Sequence, residues 1–207
     1  MTGYANPDAL VDTGWLADHL DDRAVRIIDV DEDTTAYEKG HIPGAIGWHW
    51  FNDLHDPLRR DFIDQAGLTE LLRKGGVNRD TTVVLYSGNN NWFAAYAYWL
   101  LRYLGFDNVK LLDGGRQKWE LEGRELRTEV PSLPPGNVEL GAPVRQELRA
   151  LRDDVLSRVG TVAFVDVRSP EEYRGEKLAP DQGGQRGRHL QVRRRAPGAV
   201  RGPGDRW

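Results

Sequence analysis

Three short β-branched apolar runs alternate along this chain with segments of helical periodicity, and that alternation limits the fold more than any other feature. The runs are VRIIDV (Val25 to Val30), TTVVLY (Thr81 to Tyr86) and VKLL (Val109 to Leu112). Each reads as a buried strand, because both faces of the run are largely apolar. A helical pattern with Trp15, Leu16, His19 and Leu20 precedes the first. Leu68 to Lys74 is a second helix, stopped by Gly75 and Gly76, and Trp92 to Leu104 is a third, stopped by Gly105. A short helix around Trp119 follows the last run. The loop GHIPGAIGW (Gly40 to Trp48) carries Pro and Gly at its turn and leads into a fourth, short strand. Strands separated by helices imply a mainly parallel sheet covered on both faces, an α/β fold.

One complete domain of this kind fits within residues 10–128. The stretch VPSLPPGN (Val130 to Asn137) marks a linker over 129–143, since proline removes donors and favours extended chain. A second unit over 144–181 begins with a helical pattern, Arg145 to Leu156, and a strand-like run, TVAFVDV (Thr161 to Val167). The stretches IIDVDEDTTAY (Ile27 to Tyr37) and FVDVRSPEEY (Phe164 to Tyr173) align with a one-residue gap, at an offset of about 137 residues. That offset indicates duplication of a whole domain. The run Thr161 to Val167 is expected to be an interior strand lacking its neighbours, and self-association through it is expected.

Residues 182–207 read as an Arg/Gly-rich tail. From Gly183 onward it holds seven Arg and one Asp, leaving 21 Lys+Arg against 31 Asp+Glu in residues 1–182. Two readings stay open: a shifted reading frame in G/C-rich DNA, or a natural disordered basic tail. Nucleic-acid binding is not expected of an acidic body whose tail has Trp207 as its one aromatic. No run approaches the roughly 18 apolar residues of a membrane span, and the N-terminus lacks the pattern of a signal peptide, so a cytoplasmic protein with no membrane partner is expected.

The most suggestive stretch is TVVLYSGNNNWFAAYAYW (Thr82 to Trp99), in which a strand passes through Ser87, Gly88, Asn89, Asn90 and Asn91 into a helix that opens at Trp92. A loop of this layout is suited to cradle an anion on backbone N–H groups. A hydrolase elbow would need Gly at 85 and 89, where Leu85 and Asn89 stand. Ser87 is otherwise a turn residue or a helix cap. The chain has no cysteine, which removes disulfides, thiolate metal sites and cysteine nucleophiles together. His19, His49 and His55 lack ligand spacing, so neither a metal nor a cofactor is expected. Trp92, Phe93, Tyr96, Tyr98 and Trp99 read as core packing. Asp29 and Asp166, at strand ends, are expected to pin loops, and Asp31 to Asp33 to form a solvated acidic turn.

Three motifs in order, YEKGHIPGA (Tyr37 to Ala45), LDGGRQKW (Leu112 to Trp119) and DVRSPEEY (Asp166 to Tyr173), resemble the rhodanese-like sulfurtransferases, specifically the tandem two-domain thiosulfate and 3-mercaptopyruvate sulfurtransferases. The resemblance covers residues 10–181. It implies a rhodanese-like α/β domain that is the non-catalytic copy, plus the start of a second, incomplete rhodanese domain. It implies a family activity, transfer of sulfane sulfur from thiosulfate to cyanide or another thiophilic acceptor through a cysteine persulfide. The family's nucleophile stands in a C-R-x-G-x-x-S/T loop that this sequence does not reach. In the first copy the equivalent position is Ser87. A thiolate can store sulfur because it is soft and its pKa is lowered by the loop's N–H groups, whereas a serine hydroxyl stays neutral in the same field. Sulfur transfer is therefore not expected of this chain. The alternative is a non-catalytic module whose pseudo-active loop (Ser87, Gly88, Asn89, Asn90, Asn91, Trp92) holds thiosulfate, a similar small anion, or a partner. The resemblance also assigns His41 a structural role in its turn.

Overall fold

The computed structural model describes residues 4–59 and 61–177. The tail and its competing readings lie outside the described residues. The described residues fall into two units that divide after Arg149.

In the first unit a five-stranded, wholly parallel sheet has the order β1-β5-β4-β2-β3. The elements run β1 (Leu10–Val11), α1 (Thr13–Asp18), β2 (Val25–Asp31), α2 (Thr35–Lys39), β3 (Ile46–His49), α3 (Trp50–Leu54), α4 (Gln65–Lys74), β4 (Thr82–Tyr86), α5 (Trp92–Tyr103), β5 (Val109–Leu112) and α6 (Gly115–Leu121). The expected α/β architecture is present. Both faces of the central strands are buried, which is why β2 and β4 read as continuous apolar runs: Ile28, Val30, Val83 and Leu85 face one core with α4 and α5. Val25, Ile27, Val84 and Tyr86 face the other, with Leu16, Ile42 and Trp119. Each such side chain contributes roughly 1.5–3 kcal/mol relative to exposure.

Local chemistry sets the helix starts. The Asp12 and Asp64 side chains accept from the N–H groups of Trp15 and Gly67, capping α1 and α4. The His49 ring accepts from Phe51 and Asn52 to start α3, a single-turn element with no legible period in the sequence. After α6 the chain returns across the domain, where His41 and Arg127 exchange backbone hydrogen bonds of 2.7 and 2.8 Å.

The Pro-rich stretch has no regular structure, in keeping with its composition, yet it is fastened to α4 and the turn that follows it. Gly136 N–H donates to the Arg73 carbonyl, Val138 N–H to that of Val77, and Val138 is buried. A Cβ at Gly136 would lie 2.0 Å from the Val77 carbonyl oxygen, so only glycine fits there.

The segment expected to open a second domain, residues 144–181, departs from the sequence reading in two places. The helix expected over 145–156 is a 3-10 turn at Gln146–Leu148, then α7 (Arg152–Arg158), with residues 149–151 outside any helix. Residues 161–167 form no strand; Val165 and Val167 are 85% and 90% exposed. A strand exists only through ladder bonds to a neighbour, and the described residues supply none here. The motif after it behaves as a helix start: Ser169 and Glu172 form a reciprocal capping box opening α8 (Pro170–Arg174).

Candidate functional site

From β2 the chain leaves toward β3 on one side of the sheet, and from β4 toward β5 on the other. The carboxyl ends of β2 and β4 therefore flank a topological switch point, the crevice where open parallel sheets bind ligands. The end of β2 brings Asp29 and Asp31 there, and the end of β4 brings Tyr86, Ser87 and Gly88. A small cleft adjoins it, lined among others by Asp29, Asp31, Asp33, Tyr37, Trp48 and Arg116.

The loop between β4 and α5 is a single 3-10 turn, Asn89–Asn91. Asn90 and Asn91 both take left-handed backbone angles, φ 55° and 62°. Asparagine tolerates that conformation better than other non-glycine residues, which accounts for its use twice in a row. Asn91 holds the turn together from inside. Its Oδ1 accepts from the Ser87 N–H at 2.9 Å and its Nδ2 donates to the Leu112 carbonyl at 2.8 Å. The Arg116 N–H donates to the Ser87 carbonyl at 3.2 Å, tying the loop to α6. Gly115 makes this approach feasible: a Cβ there would lie 2.3 Å from Asn91 Oδ1 and 2.9 Å from the Ser87 carbonyl oxygen.

Ser87 is 1% exposed, and its hydroxyl donates to the Gly88 carbonyl oxygen at 3.3 Å. Among the described residues no imidazole is hydrogen-bonded to it. It does not cap α5; the cap position is Asn91. Trp92, expected in the core, is 71% exposed at the first turn of α5, whereas Phe93, Tyr96, Tyr98 and Trp99 pack against the core.

The acidic turn Asp31–Asp33 is more than a solvated feature. Asp31 Oδ1 accepts from the Glu32 N–H at 2.8 Å, and Oδ2 reaches across to accept from the Gly88 N–H at 3.2 Å. Sequence reading missed this contact because it joins positions 57 apart. The fingerprint that could have signalled it is the pairing of an acidic strand end with a glycine in a neighbouring strand's exit loop.

Asp29 is buried, and burial pushes its carboxyl up to about 6. The Tyr86 hydroxyl, the Arg116 guanidinium and His41 oppose that rise, while Asp31 adds to it. Arg116 Nη1 lies 3.8 Å from Asp29 Oδ2, too far for a hydrogen bond, so this buried nitrogen lacks a hydrogen-bond partner and compensates the carboxylate weakly. Tyr86 also accepts from the Ile42 N–H, joining the loop strand to the His41–Ala45 turn. Asp29 thus sits in a polar network linking β2, β4 and α6. Asp166, by contrast, is exposed and held down to about 2 by hydrogen bonds from Arg168.

The described histidines are each committed elsewhere. His41 is fully buried, stacks on Tyr37 at 3.9 Å, and faces the carbonyls of Tyr37 and Glu129. His19 and His55 bond the carbonyls of Trp15 and Trp50, and His49 caps α3. Among the described residues no group of three or more His, Cys, Asp or Glu side chains is placed to hold a metal.

The model of the rhodanese-like domain family matches residues 12–122. The chain is 49% identical over 207 residues to the sulfur carrier protein TtuD of Thermus thermophilus, covering 95% of this chain and 72% of that one. It is 50% identical over 173 residues to a putative thiosulfate sulfurtransferase of Saccharopolyspora erythraea, covering 84% and 61%. Among solved structures, the 3-mercaptopyruvate sulfotransferase SseA of Escherichia coli aligns with a TM-score of 0.62 and 29% identity, over 74% of this chain and 62% of that one. The anaerobic ergothioneine biosynthesis enzyme of Chlorobium limicola aligns with a TM-score of 0.71 and 25% identity, over 86% and 48%. The chain therefore spans only part of each relative's length. With a parallel sheet, a strand-to-helix loop at its switch point, and relatives at this level of identity, the chain belongs to the rhodanese-like family.

Proposed function

We propose that residues 10–128 are the non-catalytic copy of a tandem sulfurtransferase, and that this chain does not itself carry sulfur. Ser87 supports the reading most directly: it occupies the expected place of the nucleophile, lies buried, and its hydroxyl bonds the neighbouring Gly88 carbonyl. Persulfide chemistry requires a thiolate that attacks the outer sulfur of the donor, keeps it, and yields it to a thiophilic acceptor. No residue of the sequence offers one. The rest of the active loop survives as a scaffold, and residues 144–181 are the beginning of the copy that would bear the cysteine. Sulfane-sulfur transfer from thiosulfate to cyanide is the activity of the whole parent protein under this reading, in a cytoplasmic setting.

The test is thiocyanate formation from thiosulfate and cyanide by the purified chain. The expected rate equals that of a heat-denatured control, and turnover above it defeats the reading.

We also propose that the apolar segment Thr161 to Val167 leads the chain to self-associate. Its exposed Val165 and Val167 support this, because apolar side chains left in water within a strand-forming sequence recruit another chain.

A further inference from the structure

We propose that Asp31 is the resident anion of the 87–91 loop: its carboxylate occupies the hydrogen-bonding position that an external oxyanion would need, so the loop is closed to sulfate-like ligands by the protein's own side chain. This rests on reading the loop as a silent copy of an anion-cradling site, and it adds what keeps the copy silent.

Three observations carry it. The Gly88 N–H, one of the loop amides at the switch point, already donates to Asp31 Oδ2 at 3.2 Å. The Ser87 N–H is taken by Asn91 Oδ1 at 2.9 Å, and the Asn91 N–H turns inward to the Gly88 carbonyl at 2.8 Å. These three amides are therefore spent within the fold. Second, the approach is tight: a Cβ at Gly88 would stand 3.0 Å from Asp31 Oδ2, so the glycine is what lets the carboxylate come up to the loop. Third, the carboxylate is held in place by its other oxygen, which accepts from the Glu32 N–H at 2.8 Å. An incoming anion would have to displace Asp31 and then sit among Asp29, Asp31 and Asp33 on the cleft wall. Arg116, the cation of that cleft, is turned to Glu120 at 2.8 Å and Asp29 at 3.8 Å. A carboxylate on a backbone N–H makes a charge-assisted bond, stronger than a neutral one, and being intramolecular it has a large advantage over a free ion.

The experiment follows the backbone amide resonances of Ser87 and Gly88 by NMR while sodium sulfate is added, with sodium chloride at matched ionic strength as the control. Wild-type amides are expected to show no saturable shift. Asp31→Ala is expected to show one, with affinity at least about tenfold above any wild-type response. Asp31→Asn keeps an uncharged acceptor of the same shape and is expected to fall between them; it is the decisive variant should the alanine protein fail to fold. Saturable binding by the wild type equal to that of the variants overturns the proposal, and so does the absence of a response in the variants. Thiocyanate formation by the wild type would defeat the silent-copy reading separately, whatever the sulfate titration shows.

Discussion

At the level of single residues, the site is defined by which side chains spend its hydrogen bonds. The strand and helix flanking Ser87 were legible because their apolar patterns are strong signals. The roles of Asp31 and Asn91 were not, since each acts through contacts that only the folded sheet creates. Under the proposed reading, a thiol at position 87 is therefore not enough to confer sulfur transfer. Ser87→Cys is expected to leave thiocyanate formation at background and to react slowly with thiol reagents, because the side chain is buried and the Ser87 and Gly88 amides that would stabilise a thiolate are already engaged. Rapid alkylation near neutral pH would contradict that.

Asp29 makes a prediction about pH. Its folded pKa, about 6, lies above the ordinary value of 3.8. The folded state thus holds this proton more tightly than the unfolded chain does. The resulting stability is complete below the ordinary carboxylate range and is lost as pH rises through about 6, with an upper limit of about 3 kcal/mol. Urea unfolding of wild type and Asp29→Asn from pH 4 to pH 8 measures it. The variant is expected to lose this component of the slope; identical slopes would place the pH dependence elsewhere.

Among the elements, those with a strong period or a strong stop signal were readable, including β2, β4, β5, α4 and α5. Elements made by local capping were not. The single-turn α3 depends on the His49 ring, and the two-residue β1 depends on pairing with β5. The segment 161–167 failed as a strand for the complementary reason, because propensity without a ladder partner does not make one. The contact between the loop and α6 is the element-level feature with the least tolerance. Gly115→Ala places a Cβ against Asn91 and the Ser87 carbonyl at a backbone φ of 54°, and is expected to destabilise the domain by about 2 kcal/mol or more. Thermal denaturation decides it; an unchanged melting temperature would show that the loop yields freely.

For the whole molecule, the fold of the first unit carries the family identity, and the second unit carries the question of association. Replacing exposed Val165 and Val167 by Lys is expected to shift the chain toward monomer in sedimentation velocity, without altering the first unit's circular dichroism signature of α/β structure. A wild-type chain that sediments as a monomer at high concentration would remove self-association from the account.

This member of the rhodanese-like family has the family fold without the cysteine sulfur on which persulfide transfer depends. Intact-mass spectrometry of the native chain after incubation with excess thiosulfate tests it directly. The mass is predicted to be unchanged, and a cyanide-removable adduct of one sulfur atom would contradict the account.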